Sequence, residues 1–185
     1  EKARQTGIIQ FRLRKDGENR MKLERSLMET YGLKDAFIVP SSLSKSQVNS
    51  AIAEAASMYI TERLTENSFI NMGYGDTPSR VLNNLATMAE RPITCVSLTG
   101  GVSYYLPDTR SNVFNAKLHL IPTPLLASSK EMADAMRHEA SVTEVSRMIS
   151  LAQLTVVGIG AMHESATIFK SGILNRNDFL YLQMQ

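Results

Sequence analysis

Residues 68–85 read SFINMGYGDTPSRVLNNL, and the order of residue types in this stretch decides the fold. Phe69, Ile70 and Met72 form a short apolar run that ends at Gly73-Tyr74-Gly75. Asp76-Thr77-Pro78 follows, and then Val81, Leu82 and Leu85 recur at the spacing of one helix face. The pattern predicts a strand, a glycine turn and a capped helix. Asp76 or Thr77 is the expected N-cap, with Pro78 in the first turn, where a proline is tolerated. The unpaired amides of such a helix start, with the helix dipole behind them, suit an anion. A sugar phosphate is the first ligand this turn suggests. The same strand, turn and helix also occur in α/β folds with nothing bound.

Outward from that stretch, strands and helices alternate. Towards the N-terminus, residues 8–13 (IIQFRL) alternate apolar and polar positions as a half-exposed strand would, after a helix end over residues 1–7 stopped by Gly7. A helix is expected over 18–31 with Leu23, Leu27 and Tyr31 on one stripe, then a buried strand over 36–39 (AFIV) before Pro40. A Ser-rich loop at 41–46 leads to a long helix over 47–64. Towards the C-terminus, strands are expected at 93–98, 117–121 and 154–157, and a helix start near 113–116. Ser128 or Ser129 can cap a helix reaching Arg137, and Ser141 can cap one over 142–151. The last stretch, 163–185, has mixed character. This alternation predicts an α/β fold, a mostly parallel sheet with helices on both faces. No repeat or long linker divides the chain.

Composition bounds the function. With 185 residues, 43% hydrophobic and 21% charged, the chain has a soluble globular profile and enough residues for a substantial core. No apolar run reaches the length of a membrane span, so no membrane partner is expected. Cys95, the single cysteine, lies in the apolar run 93–98 and fits a small buried residue in a reducing cytoplasm. The net charge of +2 is too small to argue for nucleic acid. It is unevenly spread, however: residues 1–34 carry nine Lys/Arg against five Asp/Glu, and the remainder eleven against thirteen. A basic leading segment fits either an anionic partner on that side or a solvated helix face.

Three predicted strands end in glycine turns, at Gly73-Tyr74-Gly75, Thr99-Gly100-Gly101 and Gly158-Ile159-Gly160. Ligands of open α/β sheets bind beyond the carboxyl ends of the strands, where permissive backbone allows close approach. Thr77 and Ser79 could offer hydroxyls there, and Arg80 or Lys170 charge. Asp76 suits a sugar hydroxyl or a cap better than a phosphate. Conventional catalytic arrangements have little support. His119, His138 and His163 share no metal-ligand spacing, and His163 with Glu164 is the only candidate acid–base pair. No metal or other cofactor is expected.

Several segments together resemble the SorC type of bacterial sugar-operon regulators. ARQTGIIQFRL (residues 3–13) is similar to the junction that ends the helix-turn-helix domain of that family. GLKDAFIVP (32–40), NMGYGDTPSRVLNNL (71–85), SLTGGVSYYL (97–106), NAKLHLIPTPLLASS (115–129) and VVGIGAMHESATIFKSGIL (156–174) resemble successive blocks of its effector-binding domain. The resemblance implies a fold similar to the sugar-phosphate isomerase/deaminase superfamily, used for sensing. It implies that Gly75, Asp76, Thr77 and Pro78 cradle a phosphate. It further implies that Thr99, Gly100 and Gly101 line the pocket, that Asn115 reaches in from the next helix, and that Lys170 and Ser171 lie near the rim. On this reading, residues 1–17 close a DNA-binding domain and linker, and 18–185 form an effector domain whose C-terminal part is missing. The expected partners are a phosphorylated sugar or polyol, operator DNA through an absent N-terminal domain, and further copies of the chain. The alternatives are a sugar-phosphate isomerase or deaminase using His163 and Glu164, and a pure oligomerisation module.

Overall fold

The computed structural model describes residues 17–40, 44–90, 92–101, 105 and 115–184. The expected strand over 8–13 lies outside these residues, as do the helix end at 1–7 and most of the loop before Asn115. The chain divides into two units, Glu1–Ser42 and Leu43–Gln185, with the boundary inside the Ser-rich stretch.

In the first unit, α1 (Gly17–Tyr31) forms where the apolar stripe predicts a helix, and Gly32 at φ 62° ends it. Leu23 and Tyr31 of that stripe remain exposed. Residues 36–39 form no strand. The Ile38 N–H instead donates to Glu24 Oε1 of α1 at 2.9 Å, so this backbone pairs with a side chain rather than a neighbouring strand. The expected burial is not met either: none of residues 36–39 is buried, and Phe37 is 67% exposed.

The second unit is built on a four-stranded, wholly parallel sheet. Its elements are α2 (Lys45–Thr61), β1 (Phe69–Met72), α3 (Asp76–Met88), β2 (Ile93–Ser97) and β3 (Ala116–His119). They continue with α4 (Lys130–His138), α5 (Ala140–Ile149), β4 (Leu154–Val156), α6 (Thr167–Lys170) and α7 (Arg176–Gln183). The strand order is β3-β2-β1-β4. Register places Leu118, Cys95, Ile70 and Leu154 in one row across all four strands. Because side chains alternate along a strand, this row and Met72 share one face. There they meet α2 and α3 through Ala53, Ile60, Val81, Leu82 and Leu85. Burying each of the larger side chains contributes about 1.5–3 kcal/mol. Burial also pushes the Cys95 thiol up to about 12.

The opposite face carries α5. Asn71 points there, donating through Nδ2 to the Ile149 carbonyl at 3.0 Å and to Thr155 Oγ1 at 3.2 Å. Helices thus cover both faces, as the alternating pattern predicts. Two local expectations are corrected. Ser141 does not cap α5, which starts at Ala140 after Glu139. Ala116 belongs to β3 and not to a helix start, and positions 113–114 of that expected start lie outside the described residues. Ser129 does cap α4, accepting from the Met132 N–H. In the mixed tail, α7 forms behind Asn175, whose side chain accepts from the Asp178 N–H, and Phe179 anchors it at 2% exposure.

Leu82 is 2% exposed within the α2–α3 layer, so Leu82→Ala leaves a cavity with little room to collapse. The expected cost is about 2–5 kcal/mol, read as a lower midpoint in urea unfolding with an unchanged slope.

Candidate functional site

The strand order contains one reversal. The chain runs outward from β1 through β2 to β3, then returns to pair β4 with the other side of β1. The outward crossover uses α3 on one face, and the return uses α4 and α5, with α5 on the other face. Connections that leave opposite faces open a crevice beyond the carboxyl ends of β1 and β4. Two of the three glycine turns leave those two strands.

Their backbones close on each other. The Gly73 N–H donates to the Val156 carbonyl at 2.8 Å. A methyl group placed on Gly73 would stand 3.1 Å from that carbonyl and 3.3 Å from a Val157 methyl, while one on Gly158 would stand 3.3 Å from Pro78 Cδ. Gly75 has φ +143°, a conformation that side chains disfavour, and this turns the chain directly into α3.

Gly75, not Asp76 or Thr77, is the N-cap, and no side chain caps the helix. The reason is local. The first helical bond runs from the Ser79 N–H to the Gly75 carbonyl at 3.0 Å, which starts the helix at Asp76 and places Pro78 third. Proline contributes no N–H, so the orphan amides facing the crevice are those of Gly75, Asp76 and Thr77.

Asp76 does not turn back on these amides. Its Oδ2 accepts from Asn49 Nδ2 of α2 at 2.8 Å and from Arg80 Nε at 3.0 Å, and Arg80 NH1 donates to Ser50 Oγ at 3.1 Å. Burial opposes the Asp76 charge, but the hydrogen bonds from Arg80 and Asn49 outweigh it and hold the carboxyl below its ordinary range. Asp76 and Arg80 therefore clamp α3 to α2. An open groove of about 430 Å³ beside this clamp, lined by Ser50, Glu54, Arg80, Asn83 and Thr87 among others, lies along the helices and not over the turns.

The remaining expected residues divide. Thr77 and Ser79 lie in the first turn of α3, half-buried, and their hydroxyls have no hydrogen-bond partner among the described residues. Thr99, Gly100 and Gly101 follow β2 at the same edge, where the Leu98 N–H reaches the Met72 carbonyl at 3.0 Å. Their contacts point sideways. Thr99 Oγ1 shares a 2.7 Å hydrogen bond with the hydroxyl of buried Tyr105, and burial raises that phenol. The Gly101 N–H donates to the Thr123 carbonyl at 2.7 Å, and a methyl on Gly100 would collide with Thr123 and the Pro124 carbonyl.

Asn115 does not reach the crevice. It sits at the amino end of β3, where its N–H and Nδ2 donate to the Ala86 and Ala89 carbonyls at 2.8 and 3.1 Å and tie down the end of α3. Lys170 closes α6, and its neighbour Ser171 meets the Tyr74 hydroxyl at 3.2 Å, which brings α6 to the rim. His163 and Glu164 are exposed. His163 Nδ1 lies 3.1 Å from Ser165 Oγ, and no hydrogen bond joins it to Glu164 among the described residues.

Residues 15–185 match the family described as "Putative sugar-binding domain". The chain belongs to this sugar-binding domain family. It is 30% identical over 183 residues to the transcriptional regulator LsrR of Klebsiella pneumoniae, covering 97% of this chain and 56% of that protein. The chain thus spans little more than half the length of that relative. Among solved structures, the full-length sorbitol operon regulator SorC of Klebsiella pneumoniae superposes with a TM-score of 0.73 at 19% identity, over 99% of this chain and 63% of that one. A DeoR family transcriptional regulator from Listeria monocytogenes gives 0.73 at 18% identity, over 90% and 68%. These two likenesses establish the α/β fold of the domain.

Two residues that contact the glycine turn or the start of α3 were not singled out from sequence. Asn49 is 27 positions from Asp76, and nothing in its own helix pattern marks it. Tyr74 stood in the quoted turn, between two glycines, which is itself the signal that its side chain is aimed by the turn. The clamp gives a pH prediction. The folded carboxyl of Asp76 lies below its ordinary value of 3.8, so its stabilisation is fully present above that value and lost as pH falls through the lower folded value. Because the pair is two-fifths exposed, Asp76→Ala should cost no more than about 1 kcal/mol at pH 7. The melting difference from the unmutated protein should close in strong acid.

Proposed function

We propose that this chain is the effector-sensing part of a transcriptional regulator, and that its effector is a phosphorylated sugar or polyol. The observation that carries the reading is the uncapped start of α3 beside the strand-order reversal. There the glycine-capped start of α3 leaves the amides of Gly75, Asp76 and Thr77 unclaimed by any capping side chain. A phosphate fits such donors, with Thr77 and Ser79 hydroxyls beside them and Lys170 supplying charge from the rim. Asp76, held by α2, is placed to accept from a sugar hydroxyl rather than to meet the phosphate. Thr99 and the two glycines after it shape the neighbouring wall.

Membership of a sugar-binding family and the regulator names of its relatives support sensing over turnover. Catalysis would need a positioned base, and His163 and Glu164 stand apart in solvent. The DNA-reading part belongs to the longer protein, which acts as an oligomer in the cytoplasm, since helix-turn-helix readers engage paired half-sites. The effector shifts the operator-bound population only through a difference in affinity between the two forms.

The test is a thermal-shift screen of the full-length protein against sugar and polyol phosphates, each beside its unphosphorylated parent. A true effector at about a hundred times its dissociation constant should add roughly 2.7 kcal/mol, and Thr77→Ala should remove most of that gain. Stabilisation by parents alone would remove the phosphate from the reading. Operator affinity indifferent to every compound would remove the sensor.

A further inference from the structure

The Tyr74 side chain leaves the glycine turn and meets Ser171, 97 positions later, at 3.2 Å. The two hydroxyls share this hydrogen bond, and Ser171 Oγ also donates to the Ile168 carbonyl at 3.1 Å. Ser171 is the C-cap of α6, and Gly172 at φ +71° turns the chain away behind it. At the base of the crevice the same turn is joined to β4 by the Gly73–Val156 bond. The segment from Val156 to Ser171 is therefore pinned to one glycine turn at both ends.

Lys170 rides on the pinned end. Arg80, the cation nearest to the turn in sequence, spends Nε on Asp76 and one Nη1 proton on Ser50 Oγ, which holds its guanidinium against α2. We infer that Tyr74 is a positioning residue for the bound anion: through Ser171 it docks α6 against the glycine turn and keeps Lys170 at the mouth of the crevice. This rests on the reading of the crevice as a phosphate site, and it assigns the cation-bearing wall to the segment after β4.

The experiment measures dissociation constants for a panel of hexose, pentose and polyol phosphates and their unphosphorylated parents, using the full-length protein, Tyr74→Phe, Ser171→Ala, Lys170→Met and Tyr74→Phe/Lys170→Met. Tyr74→Phe deletes one hydroxyl and keeps the ring. It should weaken the best phosphorylated ligand about three- to tenfold, the size of one net hydrogen bond, and leave its parent unchanged. Ser171→Ala, which removes the other half of the bond, should do the same and guards against a folding defect in the first variant. Lys170→Met should cost clearly less in the Tyr74→Phe background than alone, a coupling that a purely structural role would not produce. Equal binding by Tyr74→Phe and the unmutated protein would overturn the inference and leave the phosphate site standing. Equal loss for phosphate and parent would overturn it too, since Tyr74 would then act on the sugar or the fold. No binding by the unmutated protein would instead fail the underlying reading.

Discussion

β1 has a parallel partner on each side, and the geometry of the second unit follows from that constraint. Ile70 pairs with Cys95 on one flank and with Leu154 on the other, so the strand is hydrogen-bonded along both edges and buried on its α2–α3 face. Parallel partners cannot be reached by hairpins. The chain must cross over a face each time, and the two crossovers beside β1 use opposite faces. The crevice at its carboxyl end is the place where they part. The first and third glycine turns stand there because the strands that feed them flank that parting.

The turns divide labour in a way their shared composition conceals. Gly73 and Gly158 are clearances: the β1 turn, β4 and Pro78 approach closely enough that an added methyl would press on backbone or ring. Gly100 is also a clearance, but against the segment after β3, which ties the second turn to packing more than to the crevice. Gly75 alone combines a positive φ with a helix start. Three similar sequence signals thus resolve into one candidate ligand turn, its brace after β4 and a neighbouring wall.

The sequence made the α/β pattern legible because it is encoded locally and repeatedly. Val81, Leu82 and Leu85 mark the buried face of α3 without reference to anything else in the chain, and Ser129 marks the start of α4. What it left hidden depends on partners distant in sequence. The run at 36–39 looks like a strand until its backbone is seen bonded to Glu24. Asn115 seemed to reach the crevice through family resemblance, yet its bonds to Ala86 and Ala89 hold it at the opposite edge of the sheet. The helix behind Asn175 was readable, since Asn175, Asp178 and Phe179 form a cap and an anchor, but the glycine-rich approach masked it. In the candidate site, Thr77 and Gly75 were legible as a turn, whereas the Asn49–Asp76–Arg80–Ser50 clamp joins two helices and carries no linear signature.

The misplaced N-cap bears most directly on chemistry. Had Asp76 or Thr77 capped α3, its oxygen would have satisfied one of the helix's own amides, as Ser129 does for Met132 and Asn175 for Asp178. A glycine in the capping position has no oxygen to give, and the carboxylate one residue later is drawn away by Asn49 and Arg80. The clamp therefore does two things at once. It fastens α3 to α2, and it keeps a negative side chain from occupying the amides at the crevice. Anchoring that carboxylate on α2 also means that any charge arriving at the turn meets an Asp76 whose position is set by another helix. The glycine turn and the α2–α3 layer are in this sense one mechanical unit, joined through the Asp76 carboxylate and the Arg80–Ser50 bond beside it.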